Sequence, residues 1–184
     1  MPSLELLKID KTWTIFLDRD GVINQEKREE YVLNWNQFKF YNGSLESIHL
    51  LTTIFGKIIV VTNQRGVGRG IISNEDLIEI HTNMKSSIEA AGGNIAGIYA
   101  CTNIADNHPN RKPNTGMAIA AQNDFPDIIF SKSIMVGNKL SDMQFGRNAG
   151  MFTVFLATTH PETTFPNQLI DFRFDSLTDF VKAL

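Results

Sequence analysis

The 184-residue chain has one cysteine, so no internal disulfide can form and burial and hydrogen bonding must hold the fold. That usage fits a reducing compartment. No apolar run approaches the roughly 18 residues that a membrane-spanning helix needs. The first eleven residues, Met1 to Lys11, mix charges and hold no apolar stretch of signal-peptide length. A cytoplasmic location is the expectation. Neither sign of charge dominates: 17 basic against 20 acidic residues leave a net charge of -3. The chain therefore has no electrostatic footprint for nucleic acid or an anionic membrane, and neither is expected as a partner. Repeats and low-complexity segments are missing too. What is present is ordinary for a globular protein: 42% hydrophobic and 20% charged residues, enough for a proper core in one domain, 1–184.

One stretch organises the rest, Trp13-Thr14-Ile15-Phe16-Leu17-Asp18-Arg19-Asp20-Gly21-Val22-Ile23-Asn24. Its β-branched and aromatic start reads as a buried strand, 12–18, running straight into two carboxylates and a glycine. Burying an ionised carboxylate is costly unless something pairs with it. Asp18 and Asp20 at a strand's carboxyl end therefore point to a cation, a reaction, or both. Asp-x-Asp-Gly is common by chance, so the rest of the chain must decide.

Strands and helices alternate from there. Residues 21–40 mix charges with aromatics and would overhang the Asp pair. Asn42-Gly43-Ser44 opens a helix to about Phe55, burying Leu45, Ile48 and Leu51. Lys57–Val61 is a second buried strand. Ser73, with Asp76 at the capping-box position, starts a helix whose buried face is Leu77, Ile80, Met84 and Ile88. Further strands are expected at 95–101, 133–137 and 152–156, with an edge strand at 171–174. Helices are expected from near Thr115, from Ser141 to Gly150, and after Ser176. The pattern is α/β: a three-layer, Rossmann-like parallel sheet.

A parallel sheet carries all its strand carboxyl ends to one edge, so polar clusters that follow strands converge there. Four do. Asp18 and Asp20 are the first. Thr62, Asn63 and Gln64 are the second; a hydroxyl and exposed backbone N–H groups suit a phosphoryl group. Gly66, Gly68 and Gly70 follow and would let backbone approach a ligand. Arg111-Lys112-Pro113 is the third, its lysine placed to neutralise a nucleophile and a phosphoryl oxygen. Val136-Gly137-Asn138-Lys139-Leu140-Ser141-Asp142 is the fourth.

These strings, in order over about residues 12–156, resemble the four motifs of the haloacid dehalogenase superfamily of phosphotransferases. Val-Val-Thr-Asn-Gln-x-Gly-x-x-Arg-Gly and Arg-Lys-Pro resemble its heptose-bisphosphate and histidinol-phosphate phosphatase branch in particular. The resemblance implies Mg²⁺ held by Asp18, the Asp20 carbonyl and Asn138, with Asp142 in support. It implies Asp18 as nucleophile, Asp20 as general acid and base, and Lys112 as the cation. Asn138 departs from the pattern, which has aspartate there; an amide oxygen can still serve Mg²⁺, with one negative charge fewer. A second departure concerns zinc. Many members carry a Cys-x-His…Cys-x-Cys loop before Arg-Lys-Pro, whereas this loop has only Cys101, Asn103 and His108. A structural site needs four ligands, so zinc is not expected.

No insertion is long enough for a cap domain, so loops 24–36, 65–72 and 102–113 are expected to wall the site. Arg28, Arg65, Arg69 and Arg111 on them can hold a second anionic group, which fits a small bisphosphorylated sugar. By resemblance the substrate is D-glycero-D-manno-heptose 1,7-bisphosphate, losing its C7 phosphate in the supply of heptose for cell-surface polysaccharide. Histidinol phosphate is the rival: its amine would prefer the acidic Glu26, Glu29 and Glu30. A polynucleotide substrate is disfavoured by the lack of basic charge. A signalling receiver domain also uses Asp, Thr, Lys and Mg²⁺, but the Asp-x-Asp pair and the place of Arg-Lys before Asn138 oppose it. A sugar-phosphate binder with weakened catalysis would follow from Asn138 alone. His81 and His160 have no evident partners, and a monomer is expected.

Overall fold

In the computed structural model, residues 4–27 and 30–184 are described. Six strands form one sheet: β1 (Thr14–Leu17), β2 (Lys57–Asn63), β3 (Gly97–Cys101), β4 (Ser133–Gly137), β5 (Phe152–Leu156) and β6 (Phe172–Phe174). Their order is β3-β2-β1-β4-β5-β6, with every neighbouring pair parallel. The order reverses on either side of β1, and the crevice at such a switch point is where open α/β sheets bind ligands. The helices are α1 (Ser44–Ile54), α2 (Arg65–Gly68), α3 (Asn74–Ala90), α4 (Gly116–Asp124), α5 (Leu140–Ala149) and α6 (Leu177–Lys182).

Both faces of the sheet are covered, and the side-chain period of two sorts the core into layers. Ile15 and Leu17, Ile58 and Val60, and Ile134 and Val136 pack in the same cluster as Ile48, Leu51, Ile80, Met84 and Phe180 of α1, α3 and α6. Their neighbours Phe16, Ile59, Val61 and Met135 face Met117, Ala118, Ala121 and Phe145 of α4 and α5. This is why the strands read as continuous apolar runs rather than alternating ones.

Element ends follow local chemistry. Ser73 Oγ accepts from the Asp76 N–H at 2.9 Å, closing the expected capping box of α3. Ser176 caps α6 in the same way. Several strand boundaries shift by one or two residues, and two features depart further from expectation. α5 starts at Leu140 with Lys139 as its cap residue, because the Asp142 carboxylate accepts the Lys139 N–H at 3.0 Å; Ser141 does not open it. The glycine-rich string after Gln64 holds a helical turn, α2. Gly66 and Gly68 make room for the Tyr31 ring and for the Thr102 carbonyl, not for a ligand: a Cβ would lie 2.8 and 2.2 Å from them.

The loop after β1 returns as a flap. Gln25 N donates to Lys39 O at 2.8 Å and Tyr41 N to Ile23 O at 3.1 Å. Trp35 and Phe40 both pack on Phe38, which anchors the flap to the core. This pins Glu26 above the end of β1. Among the described residues no helix is long and apolar enough to cross a membrane.

Candidate active site

A cavity of about 770 Å³ opens at the carboxyl ends of β1 to β4. All four clusters reach it: Asp18 and Asp20, Thr62, Asn63 and Gln64, Arg111 and Lys112, and Asp142 line its floor. Its walls come from Glu26, Lys27, Glu30, Tyr31 and Val32, from Arg65 and Arg69, and from Asp106. These are the three loops the sequence points to. Arg28 lies outside the described residues.

Lys112 is the pivot. Its Nζ lies 2.9 Å from Asp18 Oδ1, 2.7 Å from Asp142 Oδ1 and 2.9 Å from the Val61 carbonyl, all in a buried setting. Burial alone would depress the ammonium, but Asp142 and Asp18 outweigh it and hold Lys112 above its usual range. Asp18 answers in kind. Its carboxyl is raised to about 7, by burial first and by Asp142 and Asp20 as well, against the downward pull of Lys112. The Arg19 N–H also donates to Asp18 Oδ1, at 2.8 Å.

Asp20 sits in a different field. Burial opposes its ionisation, yet Arg19 and bonds from Asn24 and Gln64 hold it below the usual carboxylate range. Arg19 Nη2 is 3.0 and 2.9 Å from its two oxygens; Asn24 Nδ2 and Gln64 Nε2 donate at 2.9 and 2.8 Å. Two neighbouring carboxyls thus have their affinities for protons pushed apart.

The second cluster is placed as expected but engaged differently. Asn63 accepts from Lys112 N at 3.0 Å and donates to Lys112 O at 3.1 Å, so its amide clasps the lysine's backbone. Gln64 Nε2 donates to Thr62 Oγ1 and to Asp20. Gln64 thus spends both N–H donors of its amide on Asp20 and Thr62, whereas Asn63 Nδ2 keeps one N–H beyond its bond to Lys112 O. Thr62 remains buried on the cavity floor. Of the arginines, Arg65 and Arg111 share the exposed Asp106 carboxylate, and Arg69 donates to the Tyr31 hydroxyl at 3.0 Å. Among the described residues Arg65 Nε and Arg111 Nη1 are buried without a partner, so both guanidinium groups keep a donor in reserve.

Asn138 is fully buried; its Nδ2 donates to Glu26 and Thr159, and its Oδ1 has no partner among the described residues. An unsatisfied buried oxygen calls for an explanation. A divalent cation held together with the Asp18 and Asp142 carboxylates, which line the cavity where Asn138 does not, would satisfy it. The donor set is all oxygen, as hard cations prefer, so the residues fit Mg²⁺. In loop 102–113, Cys101 is buried with Sγ 3.8 Å from His108 Nδ1, and that nitrogen accepts the Asn110 N–H at 3.2 Å. Asn103 accepts from Ala105 N, so the loop is held by its own hydrogen bonds.

Sequence reasoning missed Arg19 and His81. The Arg19 side chain is buried, and its Nη1 lies 3.1 Å from His81 Nε2. A guanidinium only donates, so His81 Nε2 accepts and the ring proton sits on Nδ1. Burial and the Arg19 charge push the His81 pKa down to about 3. The unfolded chain binds this proton near pH 6.5 and the folded one only near 3. Stability therefore falls as pH drops through that window. His81→Gln removes the effect: the stability of the unaltered protein relative to the variant should decline from pH 7 to pH 4 in urea melts. A constant difference would show that His81 is protonated in the fold. His160 also has a partner, Glu162 at 3.0 Å.

A parallel sheet with paired aspartates at the end of its central strand, and a lysine and a second carboxylate beside them, defines a phosphatase of the haloacid dehalogenase type. Residues 14–165 match the family described as polynucleotide kinase 3 phosphatase, and the chain belongs to that family. It is 34% identical over 173 residues to a D-glycero-alpha-D-manno-heptose-1,7-bisphosphate 7-phosphatase of Mycobacterium tuberculosis, covering 94% of this chain and 91% of the relative. A D-glycero-beta-D-manno-heptose-1,7-bisphosphate 7-phosphatase of Photorhabdus laumondii is 34% identical, covering 92% and 94%. Among solved structures, the D,D-heptose 1.7-bisphosphate phosphatase of B. bronchiseptica, complexed with magnesium and phosphate, superposes with a TM-score of 0.83. It is 27% identical, covering 92% of this chain and 96% of that one.

Proposed function

We propose that this chain hydrolyses the C7 phosphate of D-glycero-D-manno-heptose 1,7-bisphosphate, acting as one catalytic domain over 1–184. The convergence of Asp18, Thr62, Lys112 and Asp142 in one cavity carries the reaction. The two relatives, matched over nearly their whole length, support the substrate.

Asp18 attacks phosphorus in line. The hydrogen bonds from Arg19 N and Lys112 fall on its Oδ1, and Oδ2 is the attacking oxygen. A phosphorus–oxygen bond forms to Asp18 as the bond to the sugar oxygen breaks, giving an aspartyl-phosphate. Asp20 gives a proton to the leaving alkoxide and later takes one from the attacking water. To give it, its carboxyl must turn out of the Arg19 fork, and the substrate's negative charge favours its protonation. Lys112, Thr62 and nearby backbone N–H groups bind the charge on the transferred oxygens. Mg²⁺ would be held by Asp18, the Asp20 carbonyl and Asn138, with Asp142 in support. When bound, it supplies the charge that lets a carboxylate approach a phosphate.

The arginine wall favours a substrate with a second phosphate. Histidinol phosphate would need free carboxylates for its amine, but Glu26 is engaged by Asn138 and Lys139, and Glu30 lies 3.9 Å from Lys27. Glu29 lies outside the described residues. The mixed charge of the walls offers no track for a nucleic acid. We infer further that the enzyme works in the cytoplasm as a monomer without zinc. Size-exclusion chromatography with light scattering and metal analysis test the last two points.

The deciding experiment compares phosphate release from the heptose bisphosphate and from histidinol phosphate, with Mg²⁺ and with EDTA. Charge-assisted bonds to the second phosphate should favour the heptose substrate by about 10–100-fold in kcat/KM, with turnover lost in EDTA. Turnover of histidinol phosphate alone would keep the chemistry and overturn the substrate.

A further inference from the structure

The Asn138 amide can sit in only one of its two orientations. Nδ2 donates to Glu26 Oε2 at 2.9 Å and to Thr159 Oγ1 at 2.6 Å. A hydroxyl both donates and accepts, so Thr159 does not choose between the orientations. A carboxylate only accepts, so Glu26 does. Glu26 is itself fixed by Lys139, whose Nζ donates to its other oxygen, Oε1. Gly21 completes the seat. A Cβ there would lie 2.1 Å from Asn138 Nδ2, and its φ of +87° is one that only glycine adopts readily. The atom left over is Oδ1, buried and without a partner.

We propose that Glu26 is a positioning residue that turns the Asn138 amide so that its oxygen, not its nitrogen, is presented to a divalent cation. This rests on the reading of Asn138 as a cation ligand. Partners that orient a ligand are worth about 10–100-fold in metal affinity. The carboxylate also polarises the amide it accepts from, which strengthens Oδ1 as a donor. An aspartate at position 138 would instead set two carboxylates against each other. Glu26 on the flap and asparagine on β4's exit are matched to one another across 112 residues of chain.

The test measures Mn²⁺ binding to the metal-free protein by electron paramagnetic resonance, with thermal melts to establish folding. In Glu26→Gln, Lys139 claims the single amide oxygen and the new NH₂ group is turned on Asn138. The Asn138 amide must then flip. Mn²⁺ affinity should fall about 10–100-fold, further than in Glu26→Ala, which removes the same charge without forcing the flip. Adding Asn138→Asp to Glu26→Gln should return affinity to within a few-fold, because aspartate accepts from the NH₂ group and still offers an oxygen. Equal losses in Glu26→Gln and Glu26→Ala would overturn the proposal, since Glu26 would then act as charge alone. So would failure of the double variant to recover. Absence of Mn²⁺ binding by the unaltered protein would overturn the cation site itself, and this role with it.

Discussion

Asp18→Asn is expected to lower kcat by about 10⁴-fold or more, the scale seen when a covalent nucleophile is removed. The reason is local. The amide that replaces the carboxylate has nearly the same shape, and its oxygen can still accept from Arg19 N and Lys112. It cannot displace an alkoxide from phosphorus, so the covalent route is closed while binding survives. Folding should survive too, because Lys112 keeps Asp142 at 2.7 Å and the Val61 carbonyl at 2.9 Å. The check has two parts. Phosphate release gives the rate, and acid quenching after a pulse of radiolabelled substrate gives the phosphoprotein. Label retained by the unaltered protein and absent from the variant identifies Asp18 as the attacking group. A variant within tenfold of normal turnover would sink the covalent mechanism.

Lys112→Met should damage both fold and rate. Methionine matches the lysine's length but leaves Asp18 and Asp142 buried without their shared cation. Removing one partner of a buried ion pair typically costs about 3–5 kcal/mol. At about 2–4 °C per kcal/mol for a domain of this size, Tm should fall on the order of 10 °C. Below that temperature, losing a cation from the transferred oxygens should lower kcat by about 10²–10³-fold. The backbone at this position is clasped independently by Asn63, so the loss is one of charge rather than of chain path. A second variant separates the two effects. Adding Asp142→Asn removes one of the stranded carboxylates and should recover part of the lost Tm without recovering the rate. Calorimetry and phosphate release read them separately; unchanged Tm in Lys112→Met would mean that the pair is solvated.

The strands and most helix starts were readable because each depends on neighbours in sequence. Ile58, Ile59, Val60 and Val61 are all buried, so the run is apolar without alternation. Ser73 and Asp76 cap α3 through three residues of chain. The four polar clusters were readable for the same reason: each directly follows a strand, and parallel topology brings such ends together without further information. Asp18 and Lys112, 94 positions apart in sequence, could be paired in advance on that argument.

The partners of those clusters were not readable. Nothing local marks Arg19, between two aspartates, for a role; its place depends on His81, sixty-two residues on, arriving on α3. Gln64 carries the right group to bind a phosphate, and sequence cannot say that Asp20 and Thr62 take both of its donors first. The glycines after Gln64 suggested a ligand cradle; the space at Gly66 and Gly68 is filled by Tyr31 and by the 102–113 loop, and only Gly70 faces open space.

From sequence alone, then, come the parallel sheet and the edge where the polar clusters gather, because periodicity, capping and strand-end position are local properties; the class of chemistry and the proposal of Asp18 as nucleophile come from the resemblance of the motifs to a known family. Only the tertiary structure decided that the oxygen rather than the nitrogen of the Asn138 amide is left over, why Asp18 and Asp20 differ in proton affinity, and which arginines retain a donor. Hydrogen-bond saturation and desolvation depend on every group brought within a few ångströms, and the folded chain alone sets that neighbourhood.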